Sequence, residues 1–422
     1  MLPVQADLDP ERHARRIVAV LFGAMSLSSA ASIASGTVNP IAGADLAGTA
    51  SYAGVPSALV LMGSAVSAPL WGAAMDRWGR RGTLSLGLGV GLAGSALAAV
   101  ALMAHSLVGF LAGLLLTGGA SSAVQLSRFA AAEVHPPSAR GRAIANVVLG
   151  GTVGAVLGPV LVAPAGAAAA WIGVDELAGP FAAGVVLYLL AAGATMLWLR
   201  PDPRDLGRSI TAQYPDTAGV AGSMRSVGAI LRLPASIVAV SAMVVGQMVM
   251  VMLMVITSLH MRDYHHGLGS ISAVISAHTV GMFAFSVVSG RMADRWGRGP
   301  VILLGSGLLA LASLIAPLSP DVLPLALSLF LLGLGWNLCF VGGSSLLADQ
   351  LRQEERGRTQ GVNDLLIALA SAVGSLGSGV VFAAVGYTIM GAIGASFALV
   401  PFGMAITWMR RLRSRPAMAP PV

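Results

Sequence analysis

The sequence predicts an all-α membrane protein of twelve transmembrane helices arranged as two pseudo-symmetric six-helix bundles, and three observations predict it. Of its 422 residues, 56% are hydrophobic and only 10% charged, with a mean hydropathy of +0.80, whereas soluble domains carry roughly 25% charged residues. Apolar runs of about 20 residues, the length that crosses a bilayer's hydrocarbon, recur along the whole chain. The decapeptide GAAMDRWGRR at 72–81 returns as GRMADRWGRG at 290–299, each copy closing such a run. A second landmark repeats at the same spacing: Glu133 and Arg140-Gly141-Arg142 recur as Asp349 and Arg356-Gly357-Arg358. The separations are 218 residues from Asp76 to Asp294, 216 from Glu133 to Asp349 and 216 from Arg140 to Arg356. Two motifs at one spacing describe a module written twice.

The spans follow in order. The first half holds apolar runs at about 17–38, 52–75, 83–104, 107–130, 143–165 and 180–199. The second holds about 234–259, 270–293, 300–318, 322–347, 359–385 and 387–409. Lipid offers no hydrogen bonds to a backbone, so each run is expected to be a helix, and barrel-like alternation is absent. The polar stretch 201–233, with Pro203, Pro215, Gly219, Gly222 and four arginines, reads as a cytoplasmic linker carrying a short surface helix at 224–231. It separates an N-terminal bundle, 1–200, from a C-terminal one, 234–422.

Orientation comes from arginine, since short loops rich in it stay in the cytoplasm. Every basic residue is Arg and none is Lys. All but Arg128 and Arg262 fall on one side of the span map, while the opposite loops carry Asp45, Asp175, Glu176, Asp263 and Asp321. Both termini are therefore expected in the cytoplasm. Three arginines before the first apolar run also fit a secretory leader, but removing that span would break the six-plus-six pattern, so it is read as retained. The +7 charge is explained by this distribution rather than by nucleic acid.

Nothing points to an enzyme. There is no phosphate-binding loop of the nucleotide hydrolases and no HExxH or paired cysteine for a metal. Cys339 lies in an apolar span, where packing is its ordinary role. His265 and His266 are adjacent in an external loop and read as solvated rather than ligating. No cofactor is implied beyond a proton as coupling ion.

The turn after span 2, with Gly72, Asp76, Arg77, Gly79, Arg80 and Arg81, and its partial copy Gly290, Asp294, Arg295, Gly297 and Arg298, resembles the signature of the major facilitator superfamily. The resemblance covers essentially the whole chain. It implies a monomeric secondary transporter that holds a small molecule between two bundles near mid-membrane. It also implies that this turn is a cytoplasmic latch, in which Asp76 faces the positive end of a helix and the arginines pair with acids such as Glu133 and Asp349. Topology and lipid-headgroup binding are the simpler role for the same arginines.

Gly150, Gly154, Gly158 and Pro159 in span 5 look like the glycine-rich signature of the family's drug/proton antiporters, although Val162 and Ala163 stand where that signature usually has glycines. Ordinary close helix packing explains the same spacing. Where such antiporters often carry an Arg in span 4, this chain reads Leu114, Leu115, Leu116 and Thr117.

Ionisable groups inside spans are costly and are candidates for function: here Arg128, His278 and Asp364. Arg128 and Asp364 sit at similar depth in spans 4 and 11, so a gating ion pair breakable by protonation is one expectation and two independent interfacial charges the other. His278 could carry a proton or be a neutral packing residue bonded to a carbonyl. Ser28, Ser32, Ser35 and Asn39 form a polar stripe on span 1, with Ser121, Gln125 and Arg128 on span 4, expected to line a water-filled cavity. Met243, Gln247, Met250 and Met254 on span 7, with Phe285, Trp336 and Asn337, are expected to complete a mostly apolar pocket, packing between helices being the alternative. The reading is an antiporter of a bacterial inner membrane that expels amphipathic drug-like compounds. The alternatives are an importer of a small organic metabolite or anion, and a non-transporting membrane sensor.

Overall fold

A computed structural model describes residues 10–136, 139–211, 225–352 and 355–413. Among the described residues the regular structure is helical, with no strand. The chain divides into two compact units, 1–48 with 55–219, and 49–54 with 220–422. Among the described residues eleven helices are long and apolar enough to cross a membrane, the last of them 54 residues long. That last helix contains the break that makes the twelfth span.

The first unit holds α1 (Pro10–Ala47), α2 (Val55–Trp78), α3 (Arg80–Met103), α4 (Leu107–Gln125), α5 (Ser127–Glu133), α6 (Arg140–Trp171), α7 (Ala178–Trp198) and the short α8 (Pro203–Thr211). α4 starts where a side chain serves a free backbone amide: Ser106 Oγ accepts from the Gly109 amide at 3.2 Å. α1 packs on α6 and α7, and α3 on α4 and α7. Ile17, Leu21, Leu88, Val124 and Tyr188 meet in the middle, all with at most 2% exposure. The span expected at 107–130 is two helices, α4 and α5, meeting at Leu126.

The second unit holds α9 (Val227–Leu231), α10 (Pro234–Asp263), α11 (Leu268–Phe283), α12 (Ser286–Trp296), α13 (Arg298–Ile315), α14 (Val322–Ala348) and α15 (Arg356–Arg413). α9 is the short linker helix, beginning at Val227, while Met224 lies outside the described residues. Pro234 opens α10, where its missing N–H costs nothing. α10 packs on α14 and α15, and α14 also on α11 and α13. The span expected at 270–293 is likewise broken, between Phe283 and Ser286. α15 runs through the positions expected to separate spans 11 and 12, and the separation is Gly386 alone, at φ 75°, ψ 178°.

In both units the faces turned away from the core are apolar. Leu70 is 65% exposed, Val108 80% and Val287 67%. Surfaces of this kind would aggregate in water and suit lipid. Trp78 and Trp296, equivalent in the two repeats, are both 61% exposed beside their arginines, as interfacial tryptophans are.

Candidate functional site

The repeated turn has one geometry in both units. α2 ends at Trp78 and α3 begins at Arg80, so the connection is Gly79 alone, at φ 85°, ψ 173°. α12 and α13 meet in the same way at Gly297, at φ 89°, ψ 161°. A Cβ disfavours this region of backbone space, which accounts for glycine at both positions. Arg80 then grips Glu133 with two parallel bonds, Nη2 to Oε1 at 2.6 Å and Nε to Oε2 at 3.0 Å, and reaches Asp76 Oδ1 at 3.0 Å. Arg298 repeats the pattern with Asp349 at 2.9 Å and Asp294 at 3.3 Å. Planar guanidinium suits the two-pronged contact. Arg81 closes on the Met196 carbonyl at the end of α7, at 2.6 Å and 3.1 Å. Arg77 and Arg295 are exposed, and Gly72 and Gly290 have open space where a Cβ would stand.

Asp202, unmarked in the sequence because it reads as a solvated linker residue, completes the first turn. Its carboxylate accepts the backbone amides of Arg80 at 3.1 Å, Arg81 at 3.0 Å and Arg204 at 2.9 Å. α3 has no capping side chain of its own at Gly79, so Asp202 serves its N-terminus from some 120 residues downstream. Arg204 extends the contact, donating to the Asp76 carbonyl at 2.8 Å. α8 is thereby fastened across the motif. Between them lies an open cavity of about 740 Å³ lined by Asp76, Arg80, Phe129, Glu133, Arg140, Arg204 and Arg208.

In the second unit the far end of the linker is also fastened. Arg225 Nη2 meets Glu355 Oε2 at 2.6 Å and Nε meets Oε1 at 2.9 Å. Glu355 also accepts the backbone amides of Arg225 and Arg352. The Arg225 hydrogen bonds hold the Glu355 carboxyl at about 2, below its ordinary 4.5, and raise the Arg225 guanidinium in turn.

Within the polar stripe of α1, Ser32 meets side chains of its own unit. Ser28, Ser35 and Asn39 are buried, and Ser32 Oγ lies 3.2 Å from Ser121 Oγ and 3.3 Å from the Tyr188 hydroxyl. Tyr188 is a second residue the sequence did not single out. Gln125 is exposed, and Arg128 lies over the Phe129 ring at 5.0 Å with its Nε unpartnered among the described residues. Asp364 is an exposed residue of α15. Arg128 belongs to the first unit and Asp364 to the second.

The glycines of α6 allow its backbone to meet that of α1. A Cβ on Gly150 would lie 2.5 Å from the Phe22 carbonyl oxygen, on Gly154 2.1 Å from that of Ser26, and on Gly158 2.8 Å from the Ile33 Cβ. Pro159 lies inside α6 directly after them.

The residues expected to form an open pocket in the second unit are largely used for packing. Asn337 pins the break between α11 and α12: its Nδ2 donates to the Met282 carbonyl at 2.6 Å and to Ser286 Oγ at 2.9 Å, while Oδ1 accepts from Ser289 Oγ. It is therefore not an unoccupied polar anchor. Met243 and Met250 are buried, Met243 receiving Asn363 Nδ2 and Ser344 Oγ at its sulfur. Phe285 pairs with Phe330 at 5.7 Å. His278 is fully buried, with Nδ1 donating to the Leu329 carbonyl at 2.9 Å and Nε2 without a hydrogen-bond partner among the described residues. Gln247 and Trp336 remain partly accessible and joined, Trp336 Nε1 to Gln247 Oε1 at 2.6 Å, with Phe340 stacked on the indole at 5.1 Å. Met254 is half-buried on the same helix as Gln247.

A family model described as Major Facilitator Superfamily matches residues 20–262 and 237–421. The uncharacterized MFS-type transporter YdeG of Bacillus subtilis is 34% identical over 93% of this chain and 90% of its own length. The riboflavin transporter RfnT of Brucella anthropi is 30% identical over 84% of this chain and 86% of its own. The multidrug resistance protein MdtL of Shigella flexneri is 33% identical over 105 residues, 24% of this chain and 27% of its own. Among solved structures, a mutant of the nucleoside transporter NupG superposes with a TM-score of 0.73 over 93% of this chain and 99% of its own, at 14% identity.

Proposed function

The chain belongs to the Major Facilitator Superfamily, and on that premise we propose that it is a proton-coupled secondary transporter that expels amphipathic, partly aromatic organic compounds by alternating access. The observation that carries the substrate class is the partly accessible Trp336–Phe340 stack with Gln247 hydrogen-bonded at its edge: a flat apolar surface with one polar anchor suits an amphipathic ring. The partial likeness to MdtL and the glycine-lined α6 support efflux. Asp364 is the proton-carrying group in this reading, since a carboxylate within a span is a proton relay by ordinary chemistry. His278, already bonded to a carbonyl, is left to packing. The protein acts as a monomer in a bacterial cytoplasmic membrane, surrounded by lipid, with its arginine-bearing ends inside.

A second reading, import of a small organic metabolite, is favoured by one observation: the likeness to RfnT spans far more of the chain than the likeness to MdtL. Proteoliposomes loaded with an amphipathic cationic dye or with riboflavin separate the two. Uphill dye movement driven by an imposed pH gradient supports efflux. Riboflavin uptake with no dye flux supports import, and no flux of either overturns both.

A further inference from the structure

The cavity between α8 and the first repeated turn has a charge balance that the latch does not use. Four arginines line it, Arg80, Arg140, Arg204 and Arg208, against two carboxylates, Asp76 and Glu133. Among the described residues Arg80 alone engages both acids. Arg204 has only a 3.8 Å approach to the exposed Asp205 and spends one nitrogen on the Asp76 carbonyl. Its Nε is buried without a hydrogen-bond partner among the described residues. Arg140 makes one long contact of 3.4 Å to the His135 carbonyl and, like Arg208, has no carboxylate within ion-pair distance among the described residues. Arg140 also opens α6, where the first-turn amides point outward and the helix end is positive. Three guanidiniums with spare donors thus converge on one cavity, with the half-exposed Phe129 as its apolar wall.

Clustering cations without counter-charges is unfavourable unless something anionic offsets it. Guanidinium forks match the oxygens of phosphate in particular, and a cavity of about 740 Å³ is in the size range of sites for whole small molecules rather than bare ions. We propose that this cavity binds a phosphate-bearing anion, held by Arg140, Arg204 and Arg208, with the rest of the ligand against Phe129. The ligand straps α8 to α5 and the start of α6, next to the latch. Two sources share this chemistry, the headgroup of an anionic phospholipid and a soluble phosphate ester or diphosphate.

The test uses the full chain, purified in a neutral detergent, with dihexanoyl phosphatidylglycerol and inorganic pyrophosphate as probes at constant ionic strength. Saturable binding of at least one probe is expected, together with a raised thermal midpoint. The double variant Arg140→Gln/Arg208→Gln, which removes no ion pair, should weaken that binding about tenfold or more. Arg140→Lys/Arg208→Lys, keeping charge but losing the forks, should fall between. If the double variant does not fold, the exposed Arg208→Gln alone carries the comparison. Binding of the lipid that pyrophosphate does not displace identifies the headgroup as the source, and binding of pyrophosphate in lipid-free protein identifies a soluble one. No saturable binding of either probe, an affinity unchanged in the variants, or an equal response to sodium sulfate overturns the proposal.

Discussion

Asp202 holds the backbone of Arg80 from the other end of the first unit: its Oδ1 accepts the Arg80 amide at 3.1 Å while its Oδ2 takes the neighbouring Arg81 amide at 3.0 Å. The carboxylate therefore serves as the missing cap of α3 and as the fastener of the linker's first residues, and both roles can be tested at one side chain.

Replacing Asp202 by Ala should lower stability by about 1–2 kcal/mol, the cost of losing a cap at a helix N-terminus. Asn, which keeps an acceptor but not the charge, should cost less. Thermal unfolding of the purified protein, with the two variants side by side, measures the difference.

Gly154 and Gly151 lie on one helix and should respond unequally to alanine. A Cβ at 154 would stand 2.1 Å from the Ser26 carbonyl oxygen, whereas one at 151 meets only Met25 at ordinary van der Waals distance, 3.5 Å. Gly154→Ala should destabilise by roughly 1–3 kcal/mol through forced separation of α1 and α6, and Gly151→Ala should be close to neutral. Detergent-solubilised melting midpoints check the contrast.

Asn337→Leu should disturb the α11–α12 break, because it leaves the Met282 carbonyl and the buried Ser289 hydroxyl without Asn337, while Ser286 Oγ keeps its bond to the Phe283 carbonyl. Each unmet buried group costs about 1–3 kcal/mol. Reduced stability and impaired transport are both expected, and hydrogen exchange of residues 282–289 should quicken.

Glu355 gives the protein a defined acid limit. Its folded carboxyl titrates near 2 and its ordinary value is 4.5, so the unfolded chain takes up the proton more readily than the folded one. The stabilisation by the Arg225 pair is therefore complete above about pH 4.5 and is lost as pH falls toward 2. Glu355→Gln should lower stability at neutral pH and flatten the dependence between those limits. Circular dichroism melts across pH 2–6 give the readout.

Much of the architecture was legible because lipid imposes it: twenty apolar residues between arginine-rich turns admit little but a spanning helix. The boundary at Gly386 was readable for a similar reason, since an apolar run too long for one crossing had to divide there. The divisions at Leu126 and between Phe283 and Ser286 carry no glycine or proline, and the second is held by Asn337 from another helix, a tertiary cause invisible to local pattern. The site residues divide along the same line. The pairing of Arg80 with Glu133 and of Arg298 with Asp349 was implied by the family resemblance of the repeated turn. The roles of Asp202 and Tyr188 were not, because Asp202 caps amides 122 and 121 residues upstream and Tyr188 meets Ser32 across 156 residues, and Met243 and Asn337 looked like pocket linings only because periodicity gives a direction on a helix and not what stands opposite.

The single-glycine joints at Gly79, Gly297 and Gly386 share nearly the same backbone angles. A connector one residue long keeps the two helix ends it unites within a few ångströms of each other, so neither can slide far from its neighbour. Angle is a different matter, because glycine passes between regions of backbone space that a Cβ would close. α2 with α3, α12 with α13, and the two parts of α15 are thus pairs tethered in distance but jointed in direction.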